Sequence, residues 1–286
     1  MQKSMIQSLI TQKLSAHFSA DEISAFGFWL LPHCETLSEE QIPAELDIVC
    51  AELIKKTPIQ YIFETAFFGP LTLKVSPATL IPRPETEELC HLILQDYKKQ
   101  QTPNDVSIRG LDIGTGSGCI PMYLLHHQPS WTFTAVDVSE DALDIAAENA
   151  FHIGVQERIE LRHSDFLQWE SIPEHIDLLI SNPPYVRLEE AEQMDENVLN
   201  HEPHLALFTP ENDPLIFYRK LATLAEKDCH SRSTPLHIWL EINQYLSEET
   251  RALFCHFAEA EVIRDLSNNP RFIHAVARPL QSPFNN

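Results

Sequence analysis

Apolar positions in the first sixty residues recur at helical spacing. Ile6, Leu9, Ile10, Leu14 and Phe18 share one face after Ser4, a candidate N-cap. Ser19-Ala20-Asp21-Glu22 reads as a capping box ahead of Ile23, Phe26, Trp29 and Leu30. Ser38-Glu39-Glu40-Gln41 reads as a second box ahead of Leu46, Val49, Cys50, Leu53 and Ile54. The pattern predicts a small helical bundle over residues 1–62, with no catalytic cluster of its own.

From Phe63 the period shortens. Phe67-Phe68-Gly69-Pro70-Leu71-Thr72-Leu73 predicts a hairpin turning at Gly69-Pro70. Residues 76–85 follow, with prolines at 77, 82 and 84. That density excludes a helix interior or a central strand and predicts an ordered, extended connector. Its apolar Leu80-Ile81 and lone Arg83 suit a functional loop better than a bland linker. Hairpin and connector together occupy 63–86.

Beyond residue 86 apolar strand runs alternate with helical stretches. Strands are predicted at 108–113, 132–136, 159–162, 176–181, 236–241, 260–264 and 272–277, with helices at 87–97, 120–126, 140–151 and 215–225 among them. This alternation predicts an α/β domain over 87–286, a doubly wound sheet covered on both faces.

Charge and glycine usage sharpen the picture. Twenty Lys and Arg stand against forty-two Asp and Glu, a net charge of −22. Such a surface repels phosphate backbones and anionic membranes, so neither nucleic acid nor membrane is expected as a direct partner. The six cysteines are scattered without a Cys-x-x-Cys pair, which predicts a reduced, cytoplasmic setting and no zinc or disulfide framework. No apolar run is long enough for a membrane span, and no signal peptide is expected. Of seven glycines, four lie between Gly110 and Gly118. A chain so sparing of glycine needs unusual backbone freedom there.

That stretch is Leu111-Asp112-Ile113-Gly114-Thr115-Gly116-Ser117-Gly118, between a predicted strand and a predicted helix. Its glycines let the backbone turn sharply and approach a ligand near a helix N-terminus. The spacing is neither that of a dinucleotide fingerprint nor of a triphosphate P-loop. Asp137 ends the next strand, where a carboxylate can accept both hydroxyls of a ribose. Ser181-Asn182-Pro183-Pro184-Tyr185 follows the strand after that. Asn182 offers an amide oxygen, Pro183 a carbonyl with no N–H beside it, and together they can grip both hydrogens of a planar NH₂ group. Tyr185 offers a flat face against which such a group can pack.

The run Asp-x-Gly-x-Gly-x-Gly, a strand-end Asp, then Asn-Pro-Pro-Tyr resembles the class I S-adenosylmethionine-dependent methyltransferases that act on amide or exocyclic amino nitrogens. Ser76–Glu87 and Pro58-Ile59-Gln60-Tyr61-Ile62 narrow the likeness to the release-factor glutamine methyltransferases, the PrmC/HemK family. The likeness runs from about residue 57 to the C-terminus. It implies a Rossmann-like, mostly parallel seven-stranded sheet. It places S-adenosylmethionine, and its product S-adenosylhomocysteine, on Gly114, Thr115, Gly116, Ser117, Gly118, Asp137, Phe166 and Asn182. It places the accepting amide on Asn182, Pro183, Pro184 and Tyr185, with Arg83 nearby, and gives the catalytic role to Asn182, Pro183 and Tyr185. Three departures stand out: Glu64 where the family usually has glycine, no glycine in Thr209–Pro214, and Asn268-Asn269-Pro270-Arg271 in place of a glycine-bearing loop.

The resemblance implies methylation of the glutamine in the Gly-Gly-Gln motif of class I peptide chain release factors, by a monomer whose helical N-terminal domain recognises the partner. Two alternatives stay open: a glutamine of a ribosomal protein, and an exocyclic amino group of DNA or RNA, which needs the same acceptor geometry on a flipped base. The chemistry needs no metal. His201-Glu202-Pro203-His204 lacks an evident third ligand. The acidic stretch 186–214 reads equally as a solvated loop or as a partner contact.

Overall fold

In a computed structural model of the chain, the described residues are 3–100, 106–172, 175–210, 213–229 and 232–279. They form two compact units, one of residues 1–65 and 194–201, the other of 66–193 and 202–286.

The first unit contains α1 (Lys3–Leu14), α2 (Ala20–Glu35), α3 (Ile42–Ile54) and the single turn α4 (Ile59–Ile62). Ile10, Leu14, Leu30 and Leu46 are fully buried between them. Ser19 caps α2 reciprocally: its side chain accepts from the Glu22 amide, and the Glu22 carboxylate accepts from the Ser19 amide at 2.8 Å. Two expected helix starts shift. Ser4 lies inside α1, which begins at Lys3. Gln41 accepts from the Ser38 amide at 3.0 Å, but the Ser38 side chain does not cap, and a turn delays α3 to Ile42. Glu64, one of the departures, has φ +49°, the left-handed region that glycine adopts most readily.

The second unit opens within the hairpin of β1 (Thr65–Phe68) and β2 (Leu71–Lys74), which turns at Gly69-Pro70. The connector is irregular until α5 (Pro84–Lys99). This helix starts three residues before the predicted Glu87, because proline presets φ at a first helical position and lacks an N–H that would be unpaired there. Then follow β3 (Arg109–Ile113), α6 (Cys119–His127), β4 (Thr132–Asp137), α7 (Glu140–Ile153), β5 (Ile159–His163) and β6 (Leu178–Ser181). Residues 186–214 are more structured than a loop: a 3-10 turn at Leu188–Gln193, α8 (Glu196–His201) in the first unit, and α9 (His204–Leu207). Residues 211 and 212, within the Thr209–Pro214 departure, lie outside the described residues. The chain closes with α10 (Ile216–Cys229), β7 (Leu236–Glu241), α11 (Ser247–Ala252), β8 (Glu259–Arg264) and β9 (Pro270–Ala277).

The seven strands form one sheet in the order β5-β4-β3-β6-β7-β9-β8. All pairs are parallel except those of β9, which runs antiparallel to β7 and β8. This is the mostly parallel α/β sheet that the sequence predicts. Every residue of β6 is buried, which is why that strand reads as an uninterrupted apolar run. Leu89, Ile93, Leu124 and the hairpin's Phe68 pack on one face, and Tyr218, Leu221 and Ala225 of α10 on the other.

Register sets the site. Ile113 pairs with Val136 on one side and Ser181 on the other. Gly114, Asp137 and Asn182 therefore leave the carboxyl edge side by side. Strand order reverses between β3 and β6, the switch point at which open α/β sheets bind ligands. No helix among the described residues is long and apolar enough to cross a membrane.

Candidate functional site

A cavity of about 250 Å³ opens at this edge. Gly114, Thr115, Gly116 and Ser117 form one wall. Gly114 and Gly116 have φ of +77° and +55°, so the turn depends on glycine backbone freedom. The Gly114 and Thr115 amides donate to the Val136 carbonyl at 2.9 and 3.0 Å, folding the loop back onto β4. Asn149, buried on α7, donates to the Ser117 and Lys74 carbonyls at 2.9 and 3.0 Å, which ties the loop to the hairpin. Gly118 is not part of the wall. It opens α6 at φ +78°, where a Cβ would come within 2.9 Å of Met122 Cε.

Asp137 also lines the cavity. Its Oδ2 accepts from the Gly116 amide at 2.8 Å and its Oδ1 from the Ser139 amide at 3.0 Å. Burial pushes this carboxyl above its ordinary pKa, and those amides oppose the shift. Each oxygen retains a lone pair for a further donor. Phe166, buried in the same cavity wall, stacks on Phe217 with ring centroids 5.9 Å apart, so the two line an apolar slot. Sequence reasoning passed over Phe217, which is one apolar position among several in an amphipathic helix.

Asn182, Pro183 and Pro184 face the cavity. Asn182 Nδ2 donates to Thr86 Oγ1 at 3.1 Å, and no described residue bonds its Oδ1. Thr86 lines the cavity and donates in turn to Glu241 Oε2 at 2.7 Å. Tyr185 departs from the expectation of a flat face for the bound group. It is not among the lining residues, its ring packs against the core beneath the sheet, and its hydroxyl donates to Glu241 Oε1 at 3.1 Å. Thr86 lies within the Ser76–Glu87 run, but nothing in the sequence gives it a role, and a glutamate ending a strand, as Glu241 does, is ordinary.

Arg83 reaches the cavity wall with its guanidinium engaged: Nη2 lies 2.6 Å from Glu202 Oε1. Glu202 Oε2 accepts from the Ile81 amide at 3.1 Å. The Glu202 carboxylate thus organises the connector. The one described cluster of three candidate metal ligands is elsewhere, at the start of β7: Asp96, His237 and His274, where the two imidazoles hydrogen-bond at 3.3 Å.

Two acidic groups border the loop. Asp112, fully buried, is pushed up to about 7 by desolvation, a rise that the Thr115 hydroxyl partly offsets. Desolvation likewise pushes the half-buried Cys119 thiol up to about 12, which keeps it protonated.

Comparisons with known proteins agree on the kind of molecule. The methyltransferase small domain model matches residues 91–204. The release factor glutamine methyltransferase of Flavobacterium psychrophilum is 38% identical, over 92% of this chain and 94% of its own. That of Bacteroides thetaiotaomicron is 37% identical, over 94% and 98%. A solved structure of the hMettl16 catalytic domain, in complex with MAT2A 3′UTR hairpin 6, is similar with a TM-score of 0.56. It is 14% identical and covers 82% of this chain and 83% of that one, a likeness of fold.

Proposed function

The chain belongs to the release factor glutamine methyltransferase family, and from that membership we propose that it methylates the side-chain amide nitrogen (N5) of the glutamine in the Gly-Gly-Gln motif of class I peptide chain release factors. The observation that carries the acceptor chemistry is the Asn182 amide. Its NH₂ is committed to Thr86, so its carbonyl oxygen is left as an acceptor on a residue that faces the cavity. The backbone carbonyl of Pro183 is the second acceptor. A primary amide has two N–H groups to meet them.

The cavity also fits S-adenosylmethionine. The glycine turn approaches a ligand without side chains, Asp137 has lone pairs for ribose hydroxyls, and Phe166 with Phe217 offers an apolar slot for adenine. When bound, this donor supplies an electrophilic methyl on a sulfonium and leaves as S-adenosylhomocysteine.

An amide nitrogen is a poor nucleophile because its lone pair is delocalised into the carbonyl. Asn182 and Pro183 hold both N–H bonds from one side, which orients the nitrogen and favours its pyramidalisation. Position and fixed dipoles then carry the rate. No side chain is given the role of general base, since the nitrogen becomes acidic once methylated. The helical segment 1–62 serves partner recognition in this reading. Its Phe28 and Ile48 are 67% and 62% exposed, apolar surface that a protein partner can cover.

The test is direct. The protein is mixed with S-adenosylmethionine and an unmodified class I release factor, and added methyl is mapped by peptide mass spectrometry. One methyl on the Gly-Gly-Gln glutamine is the expected result. Its absence, with the cofactor bound, would overturn the substrate assignment and turn attention to ribosomal proteins, then to nucleic acid.

A further inference from the structure

Glu241 is an unusual occupant of the core. It is 2% exposed at the carboxyl end of β7, and no described cation lies within ion-pair distance of it. An apolar residue would fill that space without the cost of desolvating a carboxyl group. Burial raises its pKa, and the Thr86 and Tyr185 hydroxyls, with Arg271 nearby, offset part of that rise. What the carboxylate does is fix the direction of a chain of hydrogen bonds.

The direction follows from counting protons. Both Glu241 oxygens act as acceptors, Oε2 from Thr86 and Oε1 from Tyr185. Thr86 has one hydroxyl proton and spends it on Glu241 Oε2 at 2.7 Å. The same oxygen can then only accept, and it accepts from Asn182 Nδ2 at 3.1 Å. The Asn182 NH₂ therefore faces Thr86, and its carbonyl is the end left free. Reverse the Thr86 hydroxyl and the amide would turn over, presenting its NH₂ to a substrate NH₂, donor against donor. Tyr185 donates to the second oxygen of the same carboxylate, so both ends of the Asn182–Tyr185 turn depend on Glu241.

We propose that Thr86 and Glu241 are positioning residues for methyl transfer, which set the Asn182 side-chain amide so that its oxygen and not its nitrogen meets the acceptor. The proposal rests on the acceptor role given to Asn182 above, and extends to any NH₂ acceptor. Tyr185 acts here as the carboxylate's second donor.

Thr86→Val keeps the shape and removes the hydroxyl. It is expected to lower kcat on the order of 10- to 100-fold, the scale of lost orientation, with S-adenosylmethionine affinity within about twofold of wild type. Thr86→Ser restores the hydroxyl and is expected to recover most of kcat. A purely structural Thr86 would show the opposite ranking, because serine loses the packed methyl that valine keeps. Equal kcat in wild type and Thr86→Val, or equal defects in the Val and Ser variants, would overturn the proposal. A second readout is independent of the acceptor. The Asn182 side-chain NH₂ resonances, assigned by their absence in Asn182→Asp, should shift in Thr86→Val and Glu241→Gln and hold in Thr86→Ser. Unmoved resonances would overturn the positioning role even if the protein methylates a different substrate. A wild-type enzyme inactive on release factors with shifted resonances would instead count against the substrate reading alone.

Discussion

Arg83 and Glu202, 119 residues apart in sequence, meet at 2.6 Å, and the second Glu202 oxygen accepts from the Ile81 amide at 3.1 Å. The Glu202 side chain is 1% exposed, so one buried carboxylate anchors two points of the proline-rich connector next to the segment containing Pro203, Leu205 and Ala206. Both segments are walls of the cavity. Arg83→Ala strands that carboxylate with a single backbone donor. Since Arg83 itself is partly exposed, the cost falls at or below the low end for a broken buried pair, about 2–3 kcal/mol. Chemical denaturation should show that loss. A variant as stable as wild type would mean that Glu202 is solvated without Arg83.

Asn182→Ala removes the proposed acceptor for the substrate nitrogen and leaves the glycine loop and Asp137 untouched. The expected loss in kcat is on the order of 100-fold or more, the scale of one fixed transition-state partner, with cofactor affinity little changed. Parallel measurement of turnover and cofactor titration decides this. Lost cofactor binding would reassign Asn182 to the cofactor.

Asp137→Ala has the opposite signature. Its carboxylate holds the Gly116 amide and is the proposed ribose ligand. Hydrogen bonds to charged groups are worth about 1.5–3 kcal/mol, so S-adenosylmethionine affinity should fall roughly 10- to 100-fold. Isothermal titration reads this directly, and an unchanged affinity would remove Asp137 from the cofactor site.

Asp112 predicts a pH dependence of stability. Its pKa is about 7 in the fold against an ordinary 3.8, so across that window the folded state keeps a proton that the unfolded chain has lost. Stability from this group is therefore greatest at low pH, declines as pH rises through the window, and levels off above about 7. Asp112→Asn should gain on wild type between about pH 4 and pH 7 when both are melted without cofactor. A gap that stays constant with pH would show that Asp112 does not titrate there.

Glu64 sits at φ +49°, a conformation that costs an L-residue roughly 1–2 kcal/mol. Glu64→Gly relieves that strain at a smaller entropic cost, for a net gain of about 0.5–1 kcal/mol. Thermal melting should show a rise of a few degrees. A lower melting temperature would mean that the Glu64 side chain contributes more than its backbone costs.

Much of this molecule was legible along the chain. The strand runs were, because a parallel sheet buried on both faces requires continuous apolar stretches, and the predicted Leu236–Glu241 coincides with β7. The glycine loop, Asp137 and the Asn-Pro-Pro-Tyr turn could be placed at strand ends, because each follows such a run directly. Glu64 and Asn268 also stood out as departures from glycine, and both have positive φ. Asparagine tolerates that conformation better than glutamate.

Tertiary structure decided the rest. Thr86 and Glu241 are 155 residues apart and meet only because α5 packs beside the end of β7. Sequence periodicity says that each is on an element, not which oxygen its proton will reach. Tyr185 illustrates the limit most plainly. The motif placed it next to Asn182, but a buried carboxylate two strands from β3 in the sheet drew its hydroxyl out of the cavity wall. Local pattern sets the backbone path, whereas the need to satisfy each buried polar group is met by whatever the fold brings near, and that chose the direction of the side chains.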